Sequence, residues 1–344
     1  MGRHVAGDEP ALDRLVDDAC AAIGREIGAL GVPMLAGVVL GGGYGRGEGG
    51  VVEEGRGKSR LSPDACRLSN DLDFFAITED GAPEAAAVAT IGAALRPVSE
   101  RWSERLGIDV DFTVRTPRRI RHDQERLMVQ ELLRGHFDVA GRKGAELFAG
   151  VERIDAAKLP WMEAARLMMN RGMGLLLAAE KQRSIAGSRR PTAGCRLSDV
   201  RSFVNRNINK CILGAGDAFL VSRGLYAWRI EDRAAALAAQ GDDGLYARAV
   251  EWKFRPREEP VCDWETAREA WLGGHVEVFA AAGGGDCGRT LRNAARWLAR
   301  RRTVGELATF GQDPVVRVLA RVERHVRART APDASLMRDW GVFN

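Results

Sequence analysis

Aspartates spaced two residues apart occur at the beginning of two separate apolar runs. Asp71 and Asp73 lead into the run 74–77, and Asp109 and Asp111 lead into a second run. Short apolar runs are typical of buried strands, in which alternate side chains share one face. Each pair therefore places two carboxylates on one side of its strand, where like charges repel. An isolated pair also fits a solvated strand end, but two pairs together predict a site for Mg²⁺, which prefers oxygen ligands.

A glycine-rich turn follows an earlier apolar run, residues 34–40. Residues 41–50 read GGGYGRGEGG. Glycines let the backbone approach a ligand and adopt positive φ, and successive backbone N–H groups form a cradle for an anion. Arg46 can add a charge-assisted contact to a phosphate. A glycine cluster alone is more often a plain turn, so its meaning depends on the neighbouring aspartates.

The hydrophobic pattern changes along the chain. Helical spacing over 9–30, a strand at 34–40, an alanine-rich helix at 83–106 with a break near Pro97 and a strand at 108–114 predict an α/β part. Residues 50–69 are expected to form a loop or an exposed hairpin. After about residue 123 the strand signal fades, and candidate helices follow at 123–134, 160–186, 198–223, 231–255, 263–282, 288–302 and 314–329.

Composition narrows the class of protein. The net charge is +4, and basic clusters such as 118–121, 189–190 and 300–302 are interleaved with acids, so no nucleic-acid footprint is visible. No apolar run approaches the roughly 18 residues of a membrane span. The six cysteines form no CxxC pair and no signal peptide is visible, which predicts reduced thiols and a cytoplasmic location.

Three segments together resemble the DNA-polymerase-β-type nucleotidyltransferase superfamily. They are VVLGGGYGRGE at 38–48, NDLDFFAI at 70–77 and VDFTV at 110–114. That family combines an apolar strand, a glycine turn, an Asp-x-Asp strand and a third acid on a later strand. The turn GGYGRGE is especially similar to that of bacterial uridylyltransferases that modify signalling proteins. The resemblance covers residues 34–115, and it departs from the family in the extra segment between Gly43 and Asp71.

The resemblance implies a metal site with catalytic carboxylates. Asp71 and Asp73 would bind two Mg²⁺ ions, and Asp111 would be the third ligand and would help to activate an acceptor hydroxyl. Asp109 is the competing candidate for that third position. We favour Asp111 because the apolar run Phe-Thr-Val follows it, as it does in the family.

The resemblance also implies a nucleotide site. Gly42 and Gly43 would hold the triphosphate, with Tyr44 and Arg46 in the same nucleotide-binding turn. A helix around residues 205–224 is similar to the helix that lines the nucleotide cleft in such enzymes, where a lysine often contacts the triphosphate. Lys210 is the candidate lysine, and a solvent-facing lysine is the alternative. Asp217, further along, would be a helix-packing partner rather than a catalytic group.

These features lead to one expected architecture and function. The fold would be α+β, with a nucleotidyltransferase-type mixed sheet flanked by helices in a catalytic domain, 1–145. An all-α domain, 146–344, would form the other wall of the cleft. The enzyme would transfer a nucleoside monophosphate from a nucleoside triphosphate to a hydroxyl of an acceptor, a small molecule or protein rather than a long nucleic acid. The alternatives are an inactive nucleotide-binding regulatory module and a toxin–antitoxin-type modifier of a protein or tRNA end.

Overall fold

In a computed structural model of the protein, the described residues are 2–53, 66–187, 197–281 and 313–342. The chain divides into two compact units. The first unit comprises Met1–Ile154 and Lys253–Pro256, and the second comprises Asp155–Trp252 and Arg257–Asn344. The domain boundary expected after residue 145 falls inside a short helix of the first unit, Gly144–Leu147. The assignment of roles to domains 1–145 and 146–344 stays a prediction.

The first unit combines strands and helices. Its helices are α1 (Pro10–Leu30), α2 (Gly42–Gly45), α3 (Glu84–Leu106), α4 (Pro117–His122), α5 (Leu127–Arg134) and α6 (Gly144–Leu147). Its strands are β1 (Leu35–Leu40), β2 (Gly50–Glu53), β3 (Cys66–Ser69), β4 (Leu72–Thr78), β5 (Val110–Arg115) and β6 (Phe137–Gly141). The protein is therefore a mixed α+β protein, as expected in coarse outline.

The larger sheet is mixed, with the strand order β5-β4-β1-β6. Strand β1 is antiparallel to both of its neighbours, whereas β4 and β5 are parallel. Parallel neighbours need a long crossover, which α3 supplies between β4 and β5. Strands β2 and β3 form a separate antiparallel ladder from the ends of segment 50–69, and residues 54–65 lie outside the described residues.

Each face of the larger sheet is covered by its own buried cluster. One cluster joins the sheet to α1 and α3, and its members include Ile23, Val38, Leu40, Phe74 and Ile91. The other joins the opposite face to α5 and α6, and its members include Val39, Phe75, Ile77, Leu132 and Leu147. Because side chains alternate along a strand, Asp73 shares the face of Phe75 and Ile77.

Two expectations about the first unit were wrong. The strand signal was expected to end near residue 123, but β6 completes the sheet by pairing with β1. Asp138 and Gly141 interrupt its apolar pattern, which hides it as an edge strand. Helix α3 was expected to break near Pro97 but is continuous, because burial of residues such as Val98 and Trp102 compensates for the missing hydrogen bond.

Every element described in the second unit is helical. After a short 3₁₀ turn at Ala156–Lys158, the helices are α7 (Trp161–Gly187), α8 (Leu197–Arg223), α9 (Ile230–Ala238), α10 (Leu245–Phe254, whose last two residues belong to the first unit), α11 (Trp264–Ala281), α12 (Pro314–Ala328) and α13 (Ala334–Gly341). The helix expected at 231–255 is divided into α9 and α10, because Gly241 and Gly244 adopt φ of 90° and 84° between them. The helix expected at 288–302 lies outside the described residues.

Within the described residues, we find no helix with the length and apolar character that crossing a membrane requires.

Close helix packing in the second unit depends on Gly172 of α7. A Cβ atom there would lie 2.5 Å from Val322 and 2.7 Å from the ring of Trp271, both fully buried. Gly172→Ala should therefore destabilise the protein by about 1–3 kcal/mol through overpacking. Gly273→Ala on α11 is the control, because no atom lies within 4 Å of the added Cβ atom. This substitution should leave the stability unchanged or increase it. Urea unfolding of both variants tests this, and equal stabilities would contradict the packing described.

Candidate functional site

The glycine turn lies directly against Asp73. The backbone N–H of Gly41 donates to the carbonyl oxygen of Asp73 at 2.8 Å. Gly42 adopts φ of +61°, and a Cβ atom on it would lie 2.2 Å from Oδ2 of Asp73. Both the conformation and the contact exclude a larger residue. The structure thus brings together the turn and the aspartate that the sequence singled out separately.

The aspartates gather at one end of the sheet. Asp73 on β4 pairs in register with Asp111 on β5, so their Cα atoms are about 5 Å apart and their side chains share a face. Asp71 immediately precedes β4, and Asp109 immediately precedes β5. The backbone N–H of Leu72 donates to the carbonyl oxygen of Asp109 at 2.8 Å, which fixes the two strand entrances side by side.

The charges of these aspartates interact. Partial desolvation raises the pKa of Asp111, although the residue as a whole is exposed, and the neighbouring carboxylates of Asp109 and Asp71 raise this pKa further. A raised pKa means that the folded protein disfavours the ionised carboxyl of Asp111. The carboxylates are therefore close enough to repel, as the sequence pattern predicted.

The donor set fits Mg²⁺ in its chemistry, because all the ligands are carboxylate oxygens. Within the described residues, no three His, Cys, Asp or Glu side chains converge closely enough to hold an ion as they stand. Asp73 and Asp111 nevertheless occupy paired positions on adjacent strands. Asp71 is the third donor at the same strand entrances.

The side chain of Tyr44 points into the protein. It is 1% exposed. Its hydroxyl lies 2.9 Å from the carbonyl oxygen of Gly50 and 2.5 Å from that of Ser69, and it accepts the N–H of Ser69 at 2.9 Å. Burial raises the pKa of this hydroxyl, which stays neutral. Tyr44 was predicted to bind nucleotide, but its side chain holds the turn to β2 and β3, which leaves its backbone as the part that can meet a ligand.

Arg46 is held by two carboxylates. Its Nη2 lies 3.2 Å from Glu48, and its Nη1 lies 3.1 Å from Glu131 of α5. Lys253 also reaches Glu48, at 2.7 Å. The predicted contact of Arg46 with a phosphate would therefore require it to exchange these partners. Sequence reasoning missed Lys253, because nothing in the local pattern links it to a turn about two hundred residues earlier.

The N-terminal segment also holds the turn in place, through contacts of His4 with Tyr44 and Gly49. His4 is 1% exposed, and its ring nitrogens lie 3.2 Å from the carbonyl oxygen of Tyr44 and 3.0 Å from Asp17. The N–H of Gly49 donates to the carbonyl oxygen of His4 at 3.0 Å. Burial alone would raise the pKa of Asp13, but backbone N–H donors from residues 3–5 lower it overall. This carboxylate therefore fixes the segment in place.

Lys210 and Asp217 lie on α8 in the second unit. Lys210 is half-buried, and its predicted contact with a triphosphate stays a prediction. Asp217 accepts the hydroxyl of Tyr246 at 2.6 Å and lies 3.2 Å from Arg233. Asp217 is thus a helix-packing partner, in agreement with the sequence-based interpretation.

A cavity of about 710 Å³ lies wholly within the second unit. Its carboxylates are already bonded to backbone or arginine groups of that unit, and they are Asp242, Asp243, Asp263, Glu265, Glu269 and Glu277. The described residues that line it include none of the predicted site residues. The predicted glycines and aspartates lie in the first unit, whereas Lys210 lies on α8 of the second unit.

The contact between Gly42 and Asp73 can be measured through stability. Gly42→Ala should destabilise the protein by about 1–2 kcal/mol from its positive φ, with a further cost from the clash with Asp73. Gly81→Ala is the matched control, because Gly81 has φ of +80° with no atom within 4 Å. Adding Asp73→Ala should recover part of the lost stability in the Gly42→Ala variant, but none in the Gly81→Ala variant. Additive effects in chemical denaturation would argue against the contact.

Comparison with protein-family models, curated proteins and solved structures gave no match. The resemblance of residues 34–115 to DNA-polymerase-β-type nucleotidyltransferases therefore remains a prediction from the motifs.

Proposed function

We propose that the protein is a Mg²⁺-dependent nucleotidyltransferase of the DNA-polymerase-β type. It transfers a nucleoside monophosphate from a nucleoside triphosphate to an acceptor hydroxyl and releases pyrophosphate. The observation that supports this most is the contact of Gly42 with Asp73, because Asp73 is also in register with Asp111. A backbone cradle for phosphate and a pair of carboxylates are thus adjacent.

The sheet supports the same proposal. A strand enters the glycine turn, the neighbouring strand β4 carries Asp73, and the parallel strand β5 carries Asp111. This is the order of elements that the family resemblance predicts. The register also favours Asp111 over Asp109 as the third ligand, because Asp111 is the residue that pairs with Asp73.

Each group has a distinct task in the proposed reaction. Backbone N–H groups of Gly42 and Gly43 bind the phosphates and orient the α-phosphorus. The acceptor oxygen forms a bond to this phosphorus, the bond to the bridging β-phosphate oxygen breaks, and pyrophosphate leaves. The carboxylate of Asp111 receives the hydroxyl proton.

Asp71, Asp73 and Asp111 would hold two Mg²⁺ ions. Bound Mg²⁺ neutralises phosphate charge and polarises the phosphate oxygens at such sites. The acceptor is proposed to be a small molecule or a protein rather than a long nucleic acid.

The role of the aspartates is tested by pyrophosphate release from each of the four nucleoside triphosphates with a panel of acceptors. Asp73→Asn should reduce release by at least about 100-fold, because it would weaken the binding of Mg²⁺, whose charge stabilises the reacting phosphate in the proposed reaction. Asp80→Asn, beyond the other end of β4, is the control and should retain activity. Nucleotide binding without turnover in the wild type would favour the regulatory module, and undiminished activity of Asp73→Asn would reject the assigned site.

Crowding of the carboxylates predicts a gain in stability when one is neutralised. Because the pKa of Asp111 is raised on folding, its ionised form destabilises the folded protein at neutral pH. Asp111→Asn should therefore raise Tm at pH 7 without divalent ions. This advantage should vanish below the ordinary carboxyl pKa of 3.8, where the group is protonated in both folded and unfolded chains.

The Asp111→Asn variant also tests the proposed metal site, in an experiment that needs no acceptor. MgCl₂ should raise the Tm of the wild type by binding to the folded state, and should raise that of Asp111→Asn much less. Differential scanning fluorimetry across a MgCl₂ titration measures both values. Equal shifts in the two proteins would show that Asp111 is not a ligand.

A further inference from the structure

Four charged side chains alternate in sign beside the glycine turn. Lys253 Nζ lies 2.7 Å from Oε2 of Glu48, and Arg46 joins Glu48 at 3.2 Å and Glu131 at 3.1 Å. The Glu48 side chain is 3% exposed, whereas the other three are 17–19% exposed. Glu48 is thus the buried centre of the chain of charges, with a cation on each side.

Burial makes Glu48 dependent on both cations. A carboxylate removed from water needs ion pairs and hydrogen bonds to remain charged without a large penalty. Removing Lys253 takes away one of the cations that stabilise the buried carboxylate of Glu48. Because Arg46 and Glu48 both belong to the turn, we expect a weaker hold on Glu48 to loosen residues 46–48.

The segment that carries Lys253 lies directly on the chain leaving the turn. A Cβ atom on Gly50 would lie 2.4 Å from the carbonyl oxygen of Lys253. Two residues later, Arg255 pairs with Glu9 at 2.7 Å. Arg255 attaches the segment to the region just before α1, so the ion pair of Lys253 with Glu48 is the one directed at the turn.

We propose that Lys253 is a positioning residue for the phosphate cradle. It holds Glu48, and through Glu48 it fixes the orientation of Arg46 and of the turn backbone at Gly42 and Gly43. Its ammonium group acts on the turn and does not contact the substrate. This inference rests on the proposed nucleotidyl transfer for its functional part, whereas its structural part concerns the turn alone.

Backbone hydrogen–deuterium exchange of the full-length protein tests the structural part. Lys253→Met should accelerate exchange in peptides covering residues 41–50, and Lys253→Arg should restore most of the protection. Arg255→Met is the matched control, because it removes an ion pair of the same length from the same segment. Unchanged exchange at 41–50 in Lys253→Met, or equal acceleration in Arg255→Met, would overturn the inference.

Steady-state kinetics with MgATP and the other triphosphates test the functional part. Lys253→Met should raise KM for the nucleotide by about tenfold, a typical coupling within a charged network, while kcat changes by no more than about twofold. Arg255→Met should leave both constants near the wild-type values. A fall in kcat with KM unchanged would overturn the positioning role.

If Lys253→Met does not fold, a second substitution provides the same test. Glu48→Gln removes the charge that Lys253 holds with little change in shape, and it should give the same exchange and kinetic pattern. The double variant should be no worse than either single variant. If the wild type turns over no nucleotide, the proposed function fails, but the exchange comparison still decides whether Lys253 positions the turn.

Discussion

The contact between the glycine turn and Asp73 follows from the way two strands pair. Because β1 is antiparallel to β4, with Leu40 opposite Phe74, the chain leaving β1 must pass the residue that precedes Phe74. That residue is Asp73, and its carbonyl oxygen accepts the N–H of Gly41. The parallel strand β5 then places Asp111 beside Asp73. Sheet order alone therefore brings the glycine turn and two aspartates to one place.

Local patterns predicted the parts of this arrangement that depend on neighbouring residues. The alternation through Asp71 and Asp73 assigned a strand and a face, and the glycines of the turn marked a close backbone approach. Edge strand β6 was missed, because Asp138 interrupts its apolar pattern and its pairing partner β1 lies far away in sequence. Lys253 was missed for the same reason, since its role exists only after the chain returns to the first unit. Long-range pairing is what a local pattern leaves undetermined.

The acidic side chains that support the fold and those that crowd one another have different charged neighbours. Glu48 lies between Arg46 and Lys253. Asp123 is similar: burial would raise its pKa, but His122, Arg126 and Arg119 lower it overall. The groups that raise the pKa of Asp111, beyond burial, are two further carboxylates. Cations of the chain thus neutralise Glu48 and Asp123, whereas Asp111 faces further carboxylates, as the proposed Mg²⁺ site would require.

The composition of the turn determines which of its parts hold it in place. Seven of its ten residues, 41–50, are glycines, which lose the most conformational entropy when they are ordered. The remaining three are Tyr44, Arg46 and Glu48, and each is anchored to a different element: Tyr44 to β2 and β3, Arg46 to α5, and Glu48 to the segment of Lys253. All the side chains of the turn are thereby used to hold it. Where it meets Asp73 the turn is bare of Cβ atoms, so its backbone N–H groups, which the sequence pattern also indicated, are the part of the turn that would bind phosphate in the proposed function.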